Sequence, residues 1–194
     1  MVAVHGLNPK NKPAAKHAED TWTGPKSSFW LRDELPTKLP QSRIFIYKYD
    51  STAVYGKNRE TFIDKANAFL ERLRVKRSDD PHRPLLLLGH SLGGLLIKQA
   101  LINAFNNQKY KDIKRASRAL AFFAVPHHGG DRTVINIGSL AEGIARTLGF
   151  QEGGSLLATL REGGIFSDIM QEHWKHRLLE YHIVSFWGTR DQVS

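Results

Sequence analysis

A chain of 194 residues with a formal net charge of +9 and no cysteine is long enough for one domain with a real core. It has no disulfide, no thiolate metal site and no cysteine nucleophile. At 41% hydrophobic and 24% charged its composition is that of an ordinary globular protein.

Several further classes lose support at once. The longest apolar runs, residues 85–88 and 119–125, are far shorter than a bilayer crossing needs. No basic-then-apolar leader opens the chain, and the lack of cysteine fits a reducing compartment. The densest cations, Arg72, Arg74, Lys76 and Arg77, fall at the end of an expected helix, where they suit its dipole. With no RNA-binding aromatic motif and no zinc-finger spacing, nucleic acid is not an expected partner.

In chain order, residues 2–5 predict a strand and residues 6–27, polar with Gly and Pro, a loop. Residues 29–35 predict a short helix stopped by Pro36. Residues 43–49, rich in β-branched and aromatic side chains, predict a strand. Phe62, Ala66, Phe69, Leu70 and Leu73 recur at helical spacing, so 59–76 is expected to be a helix with one apolar face. Residues 84–89 form a continuous apolar run, as in a strand buried on both faces of a parallel sheet. Residues 92–105 return to helical period, and 118–125 predict a second buried strand ended by Pro126. Residues 132–178 predict a mainly helical insertion, with Phe166, Ile169, Met170 and Trp174 as its apolar stripe. Residues 181–187 predict a last strand. The alternation of strand and helix points to one α/β domain, a mostly parallel sheet with helices on its faces. The abrupt start in a strand predicts further sequence upstream.

The chemistry concentrates at Gly89-His90-Ser91-Leu92-Gly93-Gly94. This fits G-x-S-x-G, between an expected strand and an expected helix. So sharp a turn strains the central residue, requires Gly89 and Gly93 for close packing, and lifts the serine hydroxyl above the sheet at a helix N-terminus. His90 neighbours the nucleophile and is expected to point away from it. An incidental serine in a glycine-rich turn is the bland alternative, which the flanking strand and helix disfavour.

Acyl transfer also needs two backbone donors for an oxyanion. The Leu92 N–H, just after the serine, is one candidate. The Leu7 N–H, in His5-Gly6-Leu7 after the first strand, is the other. Gly6 would allow close approach, and His5 would shape the loop rather than act as base. A plain turn after a strand reads the tripeptide equally well. Asp191, in Gly188-Thr189-Arg190-Asp191 after the last strand, fits the triad acid in the chain order serine, acid, histidine; a solvated turn aspartate is its alternative. No histidine follows Asp191, so the chain is expected to be cut short before its general base. His127 and His128, after the 118–125 strand, are expected near the same sheet edge. His173, His176 and His182 read as surface or packing residues.

Residues 2–7, Thr21-Trp22-Thr23, Trp30-Leu31-Arg32-Asp33-Glu34-Leu35-Pro36, residues 44–51, residues 89–101 and residues 122–129 together resemble the serine-active-site (lipase-like, DUF676-related) α/β-hydrolases. In fungi such domains often precede nucleotide-binding and repeat domains. The resemblance spans nearly the whole chain. It departs where Ala124-Val125 replaces Gly-Thr and His128 replaces Arg. It implies an α/β-hydrolase fold with the 132–178 insertion as a helical cap, ester or lipid hydrolysis through Ser91, and no metal or organic cofactor. It also implies phospholipid remodelling at a mitochondrial or endoplasmic-reticulum membrane surface, and other domains of a larger protein as partners. The alternative from a different class is a catalytically weak hydrolase-fold module serving signalling or interaction.

Overall fold

The structure, a computed structural model, describes residues 1–8, 10, 12–24, 27–51, 59–125, 174 and 177–186. Five strands, β1 (Val2–Val4), β2 (Phe45–Tyr47), β3 (Leu85–His90), β4 (Ser117–Phe123) and β5 (His182–Phe186), form one sheet in the order β2-β1-β3-β4-β5. Every neighbouring pair is parallel.

Alternation along the strands sends side chains to two cores. Val2, Val4, Leu85, Leu87, Leu120 and Phe122 face one side. There they meet the helices α4 (Arg59–Lys76), α5 (Leu92–Asn106) and α6 (Lys111–Ala116). Ala3 and Leu88, with the partly buried Leu86, Ala121 and Phe123, face the other side and meet Trp22, Phe29 and Leu31. A sheet covered on both faces explains why β3 and β4 read as continuous apolar runs. Each fully buried Leu or Phe stabilises the fold by about 2 kcal/mol.

The strand order fixes where a site can lie. From β1 the chain moves to β2 on one side, and then returns through α4 to β3 on the other side of β1. This reversal puts the switch point of the sheet at the carboxyl ends of β1 and β3, the place where open parallel sheets bind ligands.

Four local readings need correction. Within 6–27, a helix, α1 (Ala14–Thr21), forms where a loop is expected. Its alanines favour helix, and Lys16 pairs with Asp20 one turn on (2.9 Å). Pro36 does not stop a helix but starts one. α2 (Trp30–Asp33) ends first, and α3 (Leu35–Lys38) carries Pro36 in its first turn, where no N–H is needed. β2 ends at Tyr47, because the Tyr49 N–H turns to the His5 ring instead of a strand neighbour. A 3₁₀ turn (Gln108–Tyr110) and α6 precede β4, where no element is expected. The cap expected over 132–178 lies outside the described residues except for Trp174, Arg177 and Leu178. Trp174 is buried and stacks on Tyr181.

Candidate active site

Ser91 alone separates β3 from α5. Its backbone is at φ 49°, ψ −122°, a region that side-chain-bearing residues avoid and that costs about 1–3 kcal/mol. Two hydrogen bonds hold it there. The Ser91 N–H donates to the Phe123 carbonyl at the end of β4 (2.9 Å), and the Gly94 N–H donates to the Ser91 carbonyl (3.0 Å). The turn closes only because its neighbours lack side chains. A Cβ on Gly89 would lie 2.5 Å from the Gly94 Cα, and one on Gly93 would run into the carbonyls of Val4 and His5. Ser91 therefore sits half-buried at the start of a 15-residue helix, where the dipole favours negative charge.

The loop after β1 lies directly against this turn. A Cβ on Gly6 would be 3.0 Å from the Ser91 Cβ and 2.9 Å from the His90 Nδ1. His5 is fully buried beneath the loop. Its Nε2 accepts the Tyr49 N–H (3.4 Å), so its Nδ1 carries the proton and donates to the Gly6 carbonyl (2.9 Å). The Tyr49 ring stacks on His5 at 4.5 Å, and its hydroxyl donates to the His5 carbonyl (3.1 Å). From α1, His17 places its Nε2 3.2 Å from the same Gly6 carbonyl. Asn8 locks the next turn, accepting the Lys12 N–H (3.1 Å) and donating to the Lys12 carbonyl (2.7 Å).

Two of these histidines, His5 and His90, are shifted toward the neutral form. Burial pushes His5 down to about 4, with His17 and His90 adding to the effect. Burial and the facing His17 likewise lower His90. The His90 Nδ1 and the Trp22 indole N–H are both buried with no hydrogen-bond partner among the described residues, and their rings meet edge-on at 6.4 Å.

The structure thus gathers Ser91, His5, Gly6, Leu7, Gly89, His90, Leu92 and Gly93 at the junction of β1, β3 and α5. The Leu7 and Leu92 N–H groups have no acceptor among the described residues. Asp191, His127, His128, His173 and His176 lie outside those residues, and His182 is exposed on β5. No three metal-ligating side chains cluster among the described residues, and no described helix is long and apolar enough to cross a membrane.

Sequence reasoning passed over His17, Tyr49 and Lys98. Lys98 is buried inside α5, with its ammonium 5.1 Å above the Phe122 ring and 5.7 Å from Trp174. Burial lowers it to about 7. A lysine within an otherwise apolar helix segment is the signal that could have marked it.

No protein-family model matches the chain. Protein SERAC1 of mouse and of human are each 30% identical to it over 116 residues, covering 57% of this chain and 17% of theirs. Bovine protein SERAC1 is 31% identical over 105 residues, covering 52% of this chain and 16% of its own. The chain thus spans about a sixth of the length of these curated relatives. Among solved structures, the mature lipase BlEst2 of Bacillus licheniformis superposes with a TM-score of 0.54 at 19% identity, over 95% of this chain and 63% of the lipase. With the parallel sheet described above, this likeness shows the fold to be that of an α/β-hydrolase.

Proposed function

We propose that this chain hydrolyses carboxylic esters, acyl lipids in particular, through an acyl-enzyme on Ser91. One observation carries the reading. At the switch point of the sheet, a serine is held at φ 49° between strand and helix, with the Gly6 loop packed on its Cβ. Strained residues cluster at functional sites, and this one sits in a glycine-flanked strand-to-helix turn that presents a hydroxyl.

In this reading the Ser91 Oγ attacks the ester carbonyl as a base takes its proton. The Leu7 and Leu92 N–H groups receive the oxyanion. The alkoxide leaves with a proton returned by the base, and water then cleaves the acyl-enzyme by the same steps. Asp191 is the proposed acid of the triad. In sequence it follows β5, whose carboxyl end lies on the same side of the sheet as that of β3. The base is a histidine. Of the nine in the chain, His127 and His128 come soonest in sequence after β4, whose carboxyl end lies beside that of β3.

That BlEst2 is a lipase supports an ester substrate. The short match to the much longer protein SERAC1 supports a domain that works beside others. The charge of +9 supports approach to an anionic membrane surface.

The test is hydrolysis of p-nitrophenyl butyrate and a longer acyl ester by the chain and by Ser91→Ala. Turnover by the wild type that falls at least about a hundredfold in the variant is expected. Equal rates would contradict the reading.

A further inference from the structure

We infer that His17, on α1, is a positioning residue that holds the Gly6–Leu7 peptide in the orientation an oxyanion hole requires. The inference deepens the hydrolase reading and rests on it for the role of the Leu7 N–H.

The geometry begins at one carbonyl. The Gly6 oxygen accepts from the His5 Nδ1 (2.9 Å) and faces the His17 Nε2 at 3.2 Å, which fills both of its lone pairs. In a trans peptide the C=O and the following N–H point in opposite directions. Two donors on the Gly6 oxygen therefore aim the Leu7 N–H away from both histidines. They also oppose a peptide flip, which would turn the Gly6 carbonyl outward and replace a donor by an acceptor. His5 cannot do this alone, because Gly6 has no side chain to restrict its backbone.

His17 is itself fixed in place. Its ring meets the His5 ring edge-on at 5.0 Å. Its helix is tied to the same loop by Lys12, whose ammonium pairs with Asp20 (2.5 Å), while Asn8 binds the Lys12 backbone from the loop side. Gly6, Asn8, Lys12, His17 and Asp20 are thus linked into a brace with Gly6 at one end. His17 need not touch substrate; it acts through the peptide it holds.

Two substitutions separate positioning from packing. His17→Phe keeps a ring and loses the donor, whereas His17→Gln keeps a donor at the position of Nε2. The carbonyl ¹³C shift of Gly6 and the amide shifts of Leu7 read the clamp whether or not Ser91 reacts. Kinetics on p-nitrophenyl butyrate read its consequence, and thermal melts monitor folding. In His17→Phe the Gly6 carbonyl resonance is expected to move upfield, and kcat to fall about tenfold with KM unchanged. His17→Gln is expected to restore the Gly6 resonance and most of kcat. A Gly6 resonance that does not move in His17→Phe overturns the inference, as does a kcat that falls equally in both variants. A wild-type chain with no turnover overturns the hydrolase reading instead. The Gly6 and Leu7 shifts then still decide whether His17 holds the peptide.

Discussion

Ser91 and Ala124 share one backbone device and use it differently. They leave neighbouring strands, β3 and β4, at φ 49° and φ 50°. Each donates its N–H, at 2.9 Å, to the last residue of the next strand: Ser91 to Phe123, Ala124 to Phe186. After Ser91 a helix begins at once, its first turn pressed on β1 through Gly93, and the strain presents a hydroxyl beside the Gly6 loop. Ala124 presents only a methyl group, and Val125 beyond it packs on Gly94. One strained residue presents a hydroxyl at a helix start, and the other presents only a methyl group.

The largest effect is expected where the device depends on close approach. Gly93→Ala pushes a Cβ into the carbonyls of Val4 and His5. Neither backbone segment can move without parting α5 from β1, so a loss of about 3 kcal/mol or more is expected in urea unfolding.

Acid comes next. His5 stays neutral in the folded chain down to about pH 4, whereas in the unfolded chain it protonates near its usual 6.5. Between these values the unfolded state binds more protons. The stabilisation is complete above pH 6.5 and is lost as pH falls toward 4, by about 3 kcal/mol. His90, lowered for the same reason, adds loss of the same sign. Unfolding free energies measured across this range should show the decline, and His5→Gln should flatten most of it.

The smallest pair of effects separates the two strained residues directly. Replacing either by glycine relieves the positive φ, offset in part by the entropy of a freer unfolded chain, for a net gain of about 1 kcal/mol. Ala124→Gly should melt higher and keep its ester turnover. Ser91→Gly should melt higher and lose at least about a hundredfold in turnover.

Much of this arrangement is legible in the sequence, for identifiable reasons. The runs at 85–88 and 119–123 are apolar on both faces because helices cover both sides of the sheet. The G-x-S-x-G turn is read from its flanks, since a strand and a helix that close together leave only one way to connect them. What is not legible depends on polar or distant contacts. α1 buries only Ala18 along its length and is fastened by Lys16 and Asp20, so it has no apolar stripe to announce it. Tyr49 reaches His5 only because β2 pairs with β1 in the register that sets Tyr47 opposite Val4. That register is absent from local spacing. His17 meets Gly6 across eleven positions of chain, and no periodicity encodes such a contact.

The central claim is that the strained serine is a nucleophile. Treatment of the folded chain with a serine-directed fluorophosphonate, followed by intact mass and peptide mapping, tests it most directly. The account predicts one adduct, on Ser91, in the wild type and in Ala124→Gly, and none in Ser91→Ala. A folded wild-type chain that takes up no label, or takes it up at another residue, would contradict it.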